Sequence, residues 1–119
     1  MATHITVAKF GGTSIQDSDA FKRVAQIVKA KPCPLVVVVS AMSGVTDALI
    51  ASFRAASQQG ADESLALLEE HFERHLRVGQ LLSAQRFARL EKLITFTRAE
   101  LRQLLRRAAH SRGNPFSRR

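Results

Sequence analysis

Lys9-Phe10-Gly11-Gly12-Thr13-Ser14 sets one cation, two bare stretches of backbone and two hydroxyls in a single short string. The chemistry open to such a set is the holding of a phosphate. Glycines let an anion approach the main-chain N–H groups, a helix N-terminus adds partial positive charge, and a lysine supplies a mobile full charge. The spacing is neither the Walker A pattern nor G-x-G-x-x-G. On composition alone, Gly-Gly-Thr-Ser reads equally well as an ordinary strand-to-helix turn. A second small-residue string, Ser40-Ala41-Met42-Ser43-Gly44-Val45-Thr46-Asp47, adds further hydroxyls and a glycine. His71 and His75, four apart, have a spacing that can bind metal. With no third ligand in view, a solvated pair is the better reading. Cys33 is the sole cysteine, between Pro32 and Pro34, so no internal disulfide can form.

The elements that must carry these residues follow from hydropathy patterning. Ile5, Val7 and Phe10 mark a strand over residues 5–10 that the two glycines end. Ser18 is a candidate N-cap, with Asp19 in the first turn. Phe21, Val24, Ala25 and Val28 then keep the i, i+3, i+4, i+7 spacing of an amphipathic helix, which Pro32 and Pro34 stop. Leu35-Val36-Val37-Val38-Val39 is a continuous aliphatic run, the pattern of a parallel strand covered on both faces. Strand, helix, strand in this length predicts a right-handed βαβ crossover. Both small-residue turns then leave the same edge of the sheet, the edge where open α/β sheets bind ligands. Asp17 and Asp47 beside the turns read as helix-start residues.

Thr46 is a candidate N-cap for a helix with Leu49, Ile50 and Phe53 on its apolar side and Gly60 as its stop. Asp62-Glu63-Ser64 opens a further helix carrying Leu65, Leu68, Phe72 and Leu76, which Gly79 bends or ends. From Ser83 a long helical pattern runs through Phe87, Leu90, Ile94, Leu101, Leu104, Leu105 and Ala108, so residues 61–111 predict an antiparallel helical hairpin. The organisation expected is a βαβα unit at 1–60, the hairpin at 61–111 and a disordered basic tail at 112–119, all within one incomplete domain.

The chain has 119 residues, 45% of them hydrophobic and 24% charged, a globular composition. It shows neither an apolar run of membrane-spanning length nor a signal peptide, so the expectation is a cytoplasmic protein without membrane contact. The net charge is +8. Much of the excess lies after Thr97, in Arg98, Arg102, Arg106, Arg107, Arg112, Arg118 and Arg119 against Glu100. With no interleaved Trp or Tyr for base stacking, a solvated basic face is favoured over specific nucleic-acid binding.

Taken together, Val7-Ala8-Lys9-Phe10-Gly11-Gly12-Thr13-Ser14 and Val38-Val39-Ser40-Ala41-Met42-Ser43-Gly44-Val45-Thr46-Asp47 resemble the N-terminal segment of aspartokinases, in the amino-acid kinase superfamily, and the likeness extends from residue 5 to about 109. The resemblance implies an α/β fold, the N-terminal part of an amino-acid kinase fold. It also implies ATP-dependent phosphorylation of the L-aspartate side chain with Mg2+, the first step toward lysine, threonine and methionine. Carried over by position, Lys9 would contact the ATP phosphates and stabilise charge on the moving phosphoryl group. Gly11 and Gly12 would offer backbone N–H groups to the same phosphates, with Thr13 in the same string. Ser14 would help hold the site together. Ser40 and Thr46 match aspartate-contacting positions, and Gly44 allows close approach. No residue is assigned to the metal.

The family's Ser-x-Gly-Glu-type motif, its nucleotide-binding half with the acidic metal residue, and its ACT domains have no counterpart in these residues. The expectation is therefore a truncated or frame-shifted segment, inactive alone. One alternative is a non-catalytic stub that self-associates or binds a partner subunit, such as a complementary kinase segment, through its exposed sheet edge and helical hairpin. Another is a different amino-acid kinase of the glutamate or acetylglutamate type, which the Lys9–Ser14 and Ser40–Thr46 strings disfavour.

Overall fold

The computed structural model describes residues 4–111; the expected basic tail at 112–119 lies outside them. The chain divides into two compact units, one ending at Gly44 and the other beginning at Val45. The helix after Gly44 therefore groups with the helices that follow it, where the patterning had grouped it with the strands.

The first unit is α/β. Strand β1 (Thr6–Gly12) pairs in parallel with β2 (Leu35–Met42) in a two-stranded sheet, joined through helix α1 (Ser18–Ala30). The predicted βαβ crossover is present. Register runs from Thr6 opposite Leu35 to Phe10 opposite Val39, then shifts so that Gly12 lies opposite Met42. Gly11 thus faces a stretch of β2 one residue longer than its own, the arrangement of a β-bulge.

Two local expectations change here. Asp17, not Ser18, caps α1: its carboxylate accepts from the Ala20 N–H at 2.8 Å. Phe21, Val24 and Val28 of the expected stripe are half-buried, whereas Ala25 is exposed and the fully buried position of α1 is Ala20. Strand β2 also differs. Val36 to Val39 are 42–61% exposed, whereas an all-aliphatic strand was expected to be covered on both faces. The physical reason is that, among the described residues, α1 is the one α-helix of this unit and the sheet has two strands, so too little structure is present to cover both faces.

The second unit is helical: α2 (Val45–Gln59), α3 (Ala61–Ala66), α4 (Glu69–Gly79) and α5 (Ala84–His110). Its core gathers Ala56, Leu65, Leu68, Phe72, Ile94 and Leu105. The hairpin is antiparallel, as the contacts along it require. Asp62 pairs with Arg102 at 3.3 Å and Glu69 with Arg98 at 2.7 Å, while Gly79 packs against Leu90 and Phe87. As one arm ascends in number the other descends.

Gly60, at φ 88°, separates α2 from α3 as expected, and Ser83 caps α5, its hydroxyl accepting from the Arg86 N–H. Other expectations shift. The first arm is two helices, because Leu67 and Leu68 interrupt it between Ala66 and Glu69. Thr46 is not a cap: it lies inside the first turn of α2, which already begins at Val45. Ile50 and Leu104 are exposed. Ser52 and Ser64 take buried places instead, their hydroxyls donating to the carbonyls of Leu49 (2.8 Å) and Gly60 (2.6 Å). A small residue whose hydroxyl bonds back along its own helix removes the penalty of burying a polar group. Among the described residues no helix is long and apolar enough to cross a membrane.

Candidate active site

The site begins with alternation along β1. Phe10 lines a hollow of about 410 Å³ together with Thr13, Ser14, Gln16, Ala20, Arg23, Val24 and Ile27, so its side of the sheet faces α1. Lys9, one residue earlier, must point to the opposite face. It is exposed there and enters no ion pair among the described residues. An ammonium not engaged by a carboxylate is available to an anion.

The turn that follows is built on two different uses of glycine. Gly11 is small because β2 comes close: a Cβ there would stand 2.5 Å from the Ser40 hydroxyl oxygen. Gly12 sits at φ 57°, ψ −119°, a conformation that L side chains rarely adopt. A Cβ at Gly12 would meet nothing within 4 Å, so its main chain is open to an approaching group. Thr13–Ile15 then form one turn of 3-10 helix, with Thr13 and Ser14 exposed and Ile15 buried as its anchor.

On the neighbouring strand Ser40 is exposed, and its hydroxyl donates to the Ala41 carbonyl at 3.0 Å. Met42 is buried, and Gly44 turns the chain at φ 83°. Because the strands are parallel, Gly11–Ser14 and Ser40–Gly44 leave the same edge of the sheet, and Gly11 touches Ser40 across it. These residues are therefore brought together. Thr46 follows two residues after Gly44, on the far side of the boundary between the units. The arrangement gathers hydroxyls and a main chain uncrowded at Gly12 toward the carboxyl edge of parallel strands, with the exposed Lys9 three residues earlier on β1.

At Gly12 the space around the position of a Cβ is open. For a metal no fit is found: among the described residues no group of three His, Cys, Asp or Glu side chains could hold an ion. Asp17 is committed to its cap. The His71 and His75 spacing is explained within their helix: Nδ1 of His71 lies 3.0 Å from the Arg74 guanidinium and Nδ1 of His75 lies 2.6 Å from the His71 carbonyl.

Comparison with known proteins gives this geometry its class. The model of the amino acid kinase family matches residues 4–110. The chain belongs to the amino acid kinase family. Within it, the relatives are aspartokinases. A chloroplastic bifunctional aspartokinase/homoserine dehydrogenase 1 of Zea mays is 36% identical over 103 residues, 85% of this chain. The lysine-sensitive aspartokinase 3 of Escherichia coli is 47% identical over 49 residues, 41% of this chain. The crystal structure of E. coli aspartokinase III in complex with lysine and aspartate superposes with a TM-score of 0.71 at 28% identity, over 92% of this chain. The matched parts are 11% of the maize protein and 23% of the E. coli structure.

Proposed function

We propose that this segment supplies the phosphate- and aspartate-facing turns of an aspartate kinase, the reaction in which ATP and L-aspartate give ADP and 4-phospho-L-aspartate. One observation carries the reading: the Lys9–Ser14 turn and the Ser40–Gly44 turn leave one edge of a parallel strand pair, in a chain whose relatives are named aspartokinases. An oxygen of the aspartate side-chain carboxylate attacks the γ-phosphorus. The bond to the ADP oxygen breaks, and that oxygen keeps the electron pair.

Such a transfer depends on positioning and on opposing charge far more than on covalent chemistry from the protein. Lys9 opposes charge on the transferred phosphoryl group. The N–H groups of Gly11 and Gly12 hold the phosphates, and Thr13 and Ser14 close that turn. Ser40 and Thr46 bind aspartate, with Gly44 leaving room for it. Bound with the ATP, Mg2+ would supply charge screening of the phosphates; no residue of this segment is assigned to hold it. The reaction serves synthesis of the aspartate-derived amino acids lysine, threonine and methionine in the cytoplasm.

The segment alone is proposed to be inactive, since its two turns offer one cationic phosphate contact, backbone donors and hydroxyls, and no metal ligand set is found among the described residues. A Haemophilus influenzae relative, 52% identical over 48 residues and 40% of either chain, is itself named as an inactive aspartokinase 3. A second reading, a partner-binding segment, is favoured by the exposed valines of β2. The deciding measurement is ATP- and aspartate-dependent ADP release by the purified 119-residue chain, before and after adding the remaining part of an aspartokinase. The expected result is release only in the combined sample, and its loss with Lys9→Ala. Release unaffected by Lys9→Ala would refute the assignment.

A further inference from the structure

Helix α5 packs on α2, α3 and α4 through one side and leaves its other side bare. That bare side carries large apolar groups. Phe96 is 61% exposed, Leu93 58% and Leu104 44%. Beside Phe96, the exposed Ala88, Glu91, Lys92, Thr95 and Ala99 line a shallow groove. Single exposed leucines are ordinary on a protein surface, but these residues share one helix face. At 3.6 residues per turn, Lys92, Leu93, Ala99 and Glu100 all point within about 60° of the direction of Phe96.

The face is complementary to itself. Phe96 stands one residue from Thr97, the midpoint of α5 (Ala84–His110). A second copy laid antiparallel, with both Phe96 rings at the two-fold axis, therefore overlaps nearly the whole helix, about 37 Å at 1.5 Å per residue. Residues equally far before and after Phe96 then come level. Lys92, four before, meets Glu100, four after, and the two-fold repeats the pair. Leu93 comes level with Ala99, and Leu104 with Ala88, so each large side chain off the axis has a small one across from it. The two aromatic rings meet at the centre.

Within one copy, neither Lys92 nor Glu100 enters an ion pair among the described residues. Both charges are thus available to a partner. A parallel pair in register would set Lys92 on Lys92 and Glu100 on Glu100, so charge selects the antiparallel arrangement. Towards the helix ends Arg86 comes level with Arg106; both are exposed, and dissolved salt screens them.

We infer that the outer face of α5 is the surface through which two copies of this chain associate, antiparallel about Phe96. The pairing does not require the phosphate-holding turn, no residue of which lies on α5.

Sedimentation equilibrium of the 119-residue chain tests it. The expected result is a reversible monomer–dimer equilibrium. Phe96→Lys should leave a monomer at concentrations where the unmodified chain is dimeric, with its helical circular dichroism unchanged. Lys92→Glu and Glu100→Lys should each weaken the dimer about tenfold, because two attractions become two repulsions. Combining the two substitutions restores opposite charges across the axis and should recover the original affinity, which a misfolded chain would not do. Val37→Lys, which charges the exposed strand β2, should leave the dimer intact. A chain that stays monomeric at every concentration, or a double variant no stronger than either single one, would overturn the inference. Association that survives Phe96→Lys and is lost with Val37→Lys would place the contact on the sheet and overturn it as well.

Discussion

Lys9 and Ser40 sit on adjacent parallel strands, yet the roles proposed for them separate cleanly in kinetics. Lys9 opposes charge that peaks during transfer, so its removal acts on the transition state. In an aspartate kinase containing this segment, Lys9→Ala is expected to lower kcat by about a hundredfold or more, the usual scale for losing one electrostatic contact of this kind. Steady-state rates at saturating ATP and aspartate would measure it, and an unchanged kcat would remove Lys9 from the chemistry. Ser40 is expected to bind ground-state substrate. Ser40→Ala should raise KM for aspartate more than KM for ATP, and the reverse order would exchange the two turns. Both residues were singled out from the sequence through short local patterns, a lysine beside two glycines and a hydroxyl shortly before another; the strands run further than those patterns implied, so that Lys9 lies in the middle of β1 and Ser40 inside β2. The close approach of Ser40 to Gly11 was not, since it depends on a register shift between strands far apart in sequence.

Elements were recovered where local signals agreed and missed where packing decided. Strand β1, α1, β2 and the long α5 were all readable from periodicity and from Pro32, Gly60 and Ser83 as punctuation. The break at Leu67–Leu68 was not, because Leu65, Leu68, Phe72 and Leu76 keep a helical spacing straight through it. Nor were the buried serines: Ser52 and Ser64 are polar by type, and only their bonds to the Leu49 and Gly60 carbonyls make them core residues. Ile50 and Leu104 were expected inside on hydropathy and lie outside. Leu105, one residue further along, is completely buried and anchors α5. Leu105→Ala is accordingly expected to destabilise the helical unit by about 3 kcal/mol, the usual cost of emptying a fully buried leucine site. Leu104→Ala should cost far less. Urea unfolding followed by helical circular dichroism would compare them, and equal losses would contradict the packing described.

At the scale of the whole molecule the apolar core is unevenly shared. Every member of the main buried cluster lies beyond Val45, while the first unit buries Ile15, Ala20 and Met42 around a two-stranded sheet. Two strands are a poor foundation unless further strands or helices cover them. A polypeptide of residues 45–111 is therefore expected to keep its helicity and to melt cooperatively, whereas residues 4–44 alone should not fold. Calorimetry on the two pieces would decide. A non-cooperative melt of residues 45–111 would mean that the helical unit needs the strands.

The exposed valines of β2 set a clock as well as a binding surface. Leu35–Val39 is uncharged, rich in β-branched residues and free of glycine, the composition of segments that stack into cross-β fibres. In most folded proteins such a segment is hidden and must be released by unfolding before fibres nucleate. Here Val36 to Val39 are already 42–61% exposed in the folded chain, so nucleation is governed by concentration and time instead of by stability. Val37→Lys places a charge in the middle of the segment. It is expected to lengthen the lag before thioflavin fluorescence appears several-fold, with little change in the helical signal. An unchanged lag would place the nucleating segment elsewhere. Until something covers β2, how long this polypeptide survives in solution depends on how many copies of it are present.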